Sequence, residues 1–470
     1  MRHIIIIVSI FLITPMLNAQ EIELKKKELP IYSLFRATEN YEYLKGDNNA
    51  FESDVFDPIK FIPLNEKEDI YLSFGGQIRP RFEHYSNRFW EETVDQDFYS
   101  QRLAFHTDLH LGKNFRVYTE LYHGYTSHER EFVENDEIDI HQAFLQIDIP
   151  FQSESSLSFI LGRQELAYGS ARLVGFREGP NIRRTFDATR AVFKSGKTNI
   201  QAFYTREVSP TIFAFDNRFT LFDGDANNPK FWGVYSQFKI KGFNGMNELY
   251  YLGFENPFSA FSDVSGKENR HSIGLRRFGQ IGKRFTYNTE IIYQFGEINN
   301  TTISAFNLEG DWHYKLINTA WLWNPGLKLE YTSGDKNLND NKLNTFNPMF
   351  VNPAYYSLAA TITPINLISI HPSVSATPTE KLKLYGEWGI FWRASKNDGL
   401  YRPPRFVNRP ANGIEDRNLG SQLGFKASYE FNRHLSLDLD MSYFIAGDFQ
   451  KTSGSGDDIF HFAPTISYKF

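Results

Sequence analysis

The densest concentration of usable chemistry in the sequence lies between Leu161 and Arg190, in LGRQELAYGSARLVGFREGPNIRRTFDATR. It holds six arginines (Arg163, Arg172, Arg177, Arg183, Arg184 and Arg190) against three carboxylates (Glu165, Glu178 and Asp187), in a chain with a formal net charge of −6. Arginine presents a planar fork of donors that matches a carboxylate or phosphate, and it stays charged at every relevant pH. Glycines and a proline interrupt the stretch, so it is neither one long helix nor one long strand. Two readings are open: the guanidiniums line a passage for an anionic solute, or they pair with nearby acids, as surface charges ordinarily do. The elements that position them decide between the two.

At 470 residues the chain could form two or three ordinary domains or one large barrel. Aromatics make up 16% of it, yet the mean hydropathy is −0.43. That combination arises when apolar and polar residues alternate finely instead of clustering. There is no cysteine, which excludes a disulfide framework, a thiolate metal site and a cysteine nucleophile. A pI near 6.1 argues against nucleic acid as a partner.

Residues 1–19 read as a signal peptide, with a basic start at Met1-Arg2-His3, an apolar core from Ile4 to Leu17, and a small-residue cleavage site ending at Ala19. No other segment approaches the roughly 18 consecutive apolar residues of a membrane helix. Residues 20–70 are charged and irregular, broken by Pro30, Pro58 and Pro63. They read as a periplasmic lead-in that packs loosely against the rest of the chain.

From residue 71 to 470 the texture is alternation. Leu72, Phe74, Ile78 and Phe82 oppose Ser73, Gln77, Arg79, Arg81 and Glu83. Leu103, Phe105 and Leu109 oppose Arg102, His106, Asp108 and His110, and the chain closes with Phe460, Phe462, Ile466, Tyr468 and Phe470 opposing His461, Thr465 and Lys469. Period 2 with one apolar face is a half-exposed strand. The segment from Leu157 to Gln164 is apolar on both faces, so alternation assigns no inward side to Arg163.

The strand count comes to about 18, close to the roughly 10-residue spans of an outer-membrane barrel. Tight turns such as Gly112-Lys113, Ser195-Gly196-Lys197 and Asn432-Arg433 alternate with long joints: 86–97, 127–137, 165–186, 208–228, 256–269, 334–364 and 394–418. Short turns on one rim and long loops on the other characterise bacterial outer-membrane barrels, whereas a soluble sandwich has no reason to hold that phase. The expected fold is therefore all-β, a transmembrane antiparallel β-barrel in the bacterial outer membrane. Its apolar face meets lipid, and the strand ending at Phe470 is the signal for outer-membrane assembly machinery. The turn within 312–325 is not fixed by the pattern.

The face opposite the lipid carries Arg79, Arg81, Arg102, Arg116, Glu120, Arg276, Glu290, Glu330 and Arg393 among others. A barrel of this size leaves an aqueous channel, and rings of arginine select anions. The connection 165–186 is of the kind that folds inward and narrows a pore.

The lead-in YSLFRATENYEYLKGDNNAFESDVFDPIKFIPLN, then LSFGGQIRPRFEHY and SQRLAFHTDLHLGKNFRVYTELYHG, and above all LGRQELAYGSARLVGFREGPNIRRTFDATR, resemble the alginate export family of outer-membrane barrels. The resemblance implies an 18-stranded barrel with an arginine-rich constriction for polyuronate. It carries pore-lining roles onto Arg79 or Arg81, Arg102, Arg163, Arg184 and Arg190, with Asp187 as partnering carboxylate. The expected partner is an anionic polysaccharide or oligosaccharide such as alginate, passed by a channel that needs no cofactor and no metal. Alternatives are a general anion-selective or sugar porin and an outer-membrane enzyme. The enzyme would need a serine, histidine and carboxylate converging on the wall; His106, His110, His123, His128 and His141 are the histidines concerned, and as a pair His106 and His110 could also ligate a metal. Asp335, Asn339, Asp340 and Asn341 read as a polar loop whose spacing misses the recognised calcium-binding pattern.

Overall fold

A computed structural model describes residues 27–46, 51–92, 94–127, 133–151, 154–223 and 227–470. The signal peptide expected at 1–19 and His128 lie outside the described residues. Eighteen long strands form the wall. The first six are β1 (Ile70–Ser86), β2 (Gln96–Leu111), β3 (Phe115–Thr126), β4 (Asp136–Pro150), β5 (Ser155–Gln164) and β6 (Phe186–Ser195). Next come β7 (Thr198–Glu207), β8 (Lys230–Phe238), β9 (Met246–Ala260), β10 (Ser265–Ile281), β11 (Phe285–Ile298) and β12 (Thr301–Tyr314). The last are β13 (Asn324–Thr332), β14 (Leu367–Thr379), β15 (Leu382–Arg393), β16 (Asn418–Glu430), β17 (Leu435–Ala446) and β18 (Ile459–Lys469).

Each strand pairs antiparallel with its neighbours in sequence, and β1 pairs with β18 through Ile78↔Tyr468, Arg81↔Thr465 and Ser86↔Phe460, closing the barrel. Closure leaves no unpaired edge. The wall is inverted relative to a soluble core: Ile78 and Phe82 are 44% and 40% exposed on the outside, whereas Arg79 and Arg81 on the other parity are 2% and 5% exposed. This is the arrangement that the alternation predicts.

The connections depart from expectation at two places. The joint expected over 256–269 is mostly strand: β9 and β10 run on, irregular between Asn256 and Ser259, and only 261–264 links them. β11 and β12 meet in the two-residue turn Asn299-Asn300, with φ of 44° and 68°, on the rim that mostly carries long loops. Asparagine tolerates this left-handed geometry better than most residues. Residues 315–323 form the connection left open by the pattern. Among the described residues no helix is long and apolar enough to cross a membrane.

The lead-in is not loosely packed. Arg36 Nη1 and Nη2 donate to the carbonyls of Gly76 and Phe470, both at 2.8 Å. Lys60 Nζ donates to Phe74 O at 2.8 Å and lies over the rings of Tyr32 and Tyr41. Gly75 and Gly76 make room for this: a Cβ at Gly75 would meet Lys60 Nζ at 2.7 Å, and one at Gly76 would meet the Phe470 ring at 2.7 Å. Such close approach is what glycine inside a strand permits.

Candidate functional site: a guanidinium cluster in the lumen

After β5 the chain turns inward instead of capping the rim. Leu166, Leu173 and Val174 bury among Phe186, Phe231, Phe254 and Phe350, an apolar core inside the barrel that alternation does not reveal. Residues 165–185 pair there with the long connection between β13 and β14: Gly175 N donates to Phe350 O and Phe350 N to Leu173 O, each at 2.9 Å. Arg172 reaches the far wall, donating to Asn307 Oδ1 at 2.6 Å with Nε 3.3 Å from Glu330, and it also meets Glu309 and the Tyr355 hydroxyl. The segment therefore spans the lumen.

Its other end is the site. Arg79 on β1 and Arg102 on β2 are direct cross-strand partners, a repulsive pairing of like charges. Glu178 sits between them, with Oε1 accepting from Arg79 Nη1 at 2.9 Å and Arg102 Nη1 at 3.0 Å, while Arg183 Nε donates to Oε2. Main-chain carbonyls of the same tip take further donors. Arg102 Nε and Nη2 donate to Asn181 O at 2.6 Å and Pro180 O at 2.7 Å, and Arg81 donates to Gly179 O. Burial alone would raise the Glu178 carboxyl, but the Arg102, Arg183 and Arg79 charges hold it well below the usual carboxylate range. Glu178 keeps 28% of its side chain exposed, so the carboxylate site is not sealed.

The lead-in meets this cluster from the short-turn side. Arg183 Nη1 donates to Leu34 O at 2.8 Å, Arg116 Nη2 to Ala37 O at 2.8 Å, and Phe35 packs edge-on against Phe176 with centroids 5.0 Å apart. Two cavities result. The outer one, about 1080 Å³, is bordered by Arg88, Phe89 and Asp95 of one long loop and by residues 402–406 of another, and includes Arg184. The inner one, about 750 Å³, is bordered by the Gly112-Lys113 turn and includes Arg190. They share no lining residue.

Of the residues singled out by sequence, Arg79, Arg81 and Arg102 thus come together, Arg184 faces the outer cavity and Arg190 the inner. Arg184 donates to Glu207 at 2.8 Å and to the carbonyls of Gly175 and Val351. Arg190 Nε is buried without a hydrogen-bond partner. Arg163 and Asp187 stand apart from that cluster and pair with each other. They are cross-strand partners 2.8 Å apart, on the outward parity shared with the exposed Phe159 and Leu161. Carbonyls of Asn217 and Arg218 accept from Arg163, and Thr220 N donates to Asp187, so the loop after β7 covers the pair. It is a buried ion pair in the wall.

Sequence reasoning missed Glu178 as the hub and Arg36 as a lumen residue. Glu178 was visible only as one of three acids among six arginines. The histidines hydrogen-bond and stack: His141 pairs with Glu165 at 2.9 Å and lies on Tyr122, and His110 lies on Tyr71. Among the described residues no three His, Asp or Glu side chains are arranged to hold a metal ion.

The alginate export family model matches residues 70–462, and the chain belongs to that family. No curated protein sequence matches it. Among solved structures, Pseudomonas aeruginosa OpdO superposes with a TM-score of 0.57 at 9% identity, covering 86% of this chain and 99% of its own. Pseudomonas aeruginosa OccK2 (OpdF), solved in complex with glucuronate, gives 0.54 at 11% identity, covering 89% and 99%. A BenF-like porin from Pseudomonas fluorescens Pf-5 gives 0.56 at 9% identity, covering 85% and 98%. At these identities the likeness concerns the fold, and with the family it makes this chain an outer-membrane channel of porin type.

Proposed function

We propose that this member of the alginate export family conducts carboxylated sugars through its lumen, with Arg79, Arg81, Arg102 and Arg183 as the selective contact. The observation that carries the reading is Glu178, a carboxylate already held by three guanidiniums from three separate elements. Geometry that holds a side-chain carboxylate suits the carboxylate of a uronate, which can take the same donors when the tip moves aside. Conduction needs binding that is weak and distributed over several sites. The competing Glu178 weakens the central site, and Arg184 and Arg190 supply charge on either side of it. The expected ligand is a polyuronate of the alginate type.

A second reading, passage of a short sugar acid, is favoured by the filled lumen. Two separate cavities divided by the 165–185 segment suit a small solute better than a continuous polymer. The neighbour solved with glucuronate has the same architecture.

The test is single-channel conductance in a planar bilayer, with and without oligouronate, on the native protein and on Arg79→Gln/Arg102→Gln. Anion-selective current blocked by oligouronate and not by neutral oligosaccharide, with selectivity reduced in the variant, is the expected result. Blocking by monomeric glucuronate alone would favour the second reading. Identical reversal potentials in native and variant protein would overturn the arginine filter.

A further inference from the structure

The inward turn of residues 165–185 leaves a notch in the wall. β5 stops at Gln164 and β6 starts at Phe186, so β4 from Asp136 to Gln142 has no strand beside it on the β5 side. The loop after β7 takes that place. Glu137 N donates to Ile212 O at 3.0 Å, and Phe215 N donates to Ile138 O at 2.9 Å. Farther along, Asn217 N donates to Asp139 at 2.8 Å, the carbonyls of Asn217 and Arg218 accept from Arg163, and Thr220 N donates to Asp187. An open strand edge and a charged pair on the lipid-facing parity are both costly in a membrane, and this one loop satisfies both.

The other side of the loop is apolar and bare. Phe213, Phe215, Phe219 and Phe222 are between 47% and 78% exposed, and Ile212 is exposed beside them. Phe219 and Phe222 have centroids 6.3 Å apart. Single exposed apolar residues need no explanation, but such a concentration marks an interaction surface. Its level on the wall identifies what meets it. Arg163 follows the exposed Phe159 and Leu161 on the outward face of β5, and Ile140 of β4, nearer the rim, is still exposed. The covered pair therefore lies within the apolar band of the wall, and the loop's rings continue that band.

The charges around the rings are spoken for. Arg218 and Asp223 pair at 2.7 Å, Asp216 accepts from Thr211 Oγ1 and Phe213 N, and Asp136 and Asp139 accept from Asn217. Glu137 is exposed at the rim end of β4. Irregular backbone with charges at its margin suits the boundary of acyl chains and headgroups, not the middle of the hydrocarbon.

We propose that residues 211–223 form an interfacial anchor, with Phe213, Phe215, Phe219 and Phe222 seated among acyl chains of the outer leaflet. The occupant is lipid hydrocarbon, continuous with the lipid that surrounds the wall. Val208, Ser209 and Pro210 of the same loop line the outer cavity, so the membrane holds part of that cavity's border in place whichever solute passes.

The chain has no cysteine, so Phe213→Cys and Phe222→Cys each accept a single nitroxide label. Leu161→Cys gives a lipid-facing reference, and Lys336→Cys, exposed on a long loop, an aqueous one. The labelled barrels are reconstituted in dioleoylphosphatidylcholine vesicles, and heat-modifiable gel mobility confirms that each is folded. Labels at 213 and 222 are expected to be reached by oxygen more than by a water-soluble nickel chelate, as at Leu161, with the reverse at Lys336. Nickel access equal to that at Lys336 overturns the anchor. Poor access to both reagents, with spin–spin broadening lost on dilution with unlabelled barrel, also overturns it and puts a second copy of the chain on the surface. Phe213→Ser/Phe215→Ser/Phe219→Ser/Phe222→Ser is expected to speed hydrogen exchange of the Asn217 and Thr220 amides about tenfold in vesicles, with β5 amides unchanged. Unaltered exchange at both amides means that lipid does not hold the loop through these rings, and the proposal fails.

Discussion

Arg79 and Arg102 face each other across two hydrogen-bonded strands, and without an anion between them their charges oppose the register that the wall requires. Glu178 supplies that anion from a loop, so one carboxylate both stabilises the wall and pins the loop. Replacing it with glutamine leaves three guanidiniums short of a counter-charge. Breaking a buried pair in this way costs on the order of 3–5 kcal/mol. The loss should fall on the tip, where amides 176–183 lose hydrogen-exchange protection by more than a hundredfold in Glu178→Gln while the strand amides keep theirs. The pH dependence has a definite sign. The folded value of Glu178 lies below its ordinary 4.5, so the anchoring is fully present above that value and fades only as pH falls through the depressed one. Exchange protection of the tip should be flat from pH 7 to about 4.5 and collapse below it; a collapse already near pH 6 would show that Glu178 is not the anchor.

At the scale of elements, the strands were legible and their fillings were not. Period 2 in LSFGGQIRPRFEHY is a local consequence of a wall with lipid on one side and water on the other, so β1 and its inward Arg79 and Arg81 follow directly from sequence. Nothing local says where a loop goes. Arg163 stands in a strand that is apolar on both faces, and its outward direction follows from its neighbours Phe159 and Leu161 and from a covering loop more than 50 residues away. The lead-in is the plainest case. Its prolines and charges look like a tether, yet Arg36, Tyr32 and Lys60 bury against the β1–β18 seam because glycines there leave space. Burial, reinforced by Arg36, pushes the Lys60 ammonium down to about 7 from 10.5. Between those values the undocked lead-in binds the extra proton, so docking strengthens as pH rises from about 7 toward 10.5. Proteolytic cleavage within residues 27–46 should slow across that range, and Lys60→Met should remove the dependence. Deleting 27–46 should also raise single-channel conductance, since Leu34, Phe35 and Ala37 occupy the lumen against Arg183, Phe176 and Arg116.

For the molecule as a whole, wall and filling are separable. Every wall strand is hydrogen-bonded on both sides to other wall strands, and no wall pairing passes through residues 165–185. The filling instead joins one side of the barrel to the other, from Glu178 at β1 and β2 to Arg172 at β12 and β13. Replacing 166–184 with a short glycine-serine turn should therefore leave a closed barrel, still heat-modifiable on a gel. It uncovers Phe186, Phe231 and Phe254, which are fully buried in the native lumen, at a cost of about 1.5–3 kcal/mol for each side chain wetted. That lowers the unfolding temperature without removing the hydrogen-bonded closure that keeps such barrels intact in lipid. Conductance should rise severalfold, because the two cavities then join. Anion selectivity should fall at the same time: Arg79, Arg81 and Arg102 remain on the wall, but they face a wide water-filled lumen where an exposed charge acts through a high dielectric and mobile counter-ions. A variant that folds and conducts more while keeping full anion selectivity would place the filter in the wall alone and leave the loop as packing.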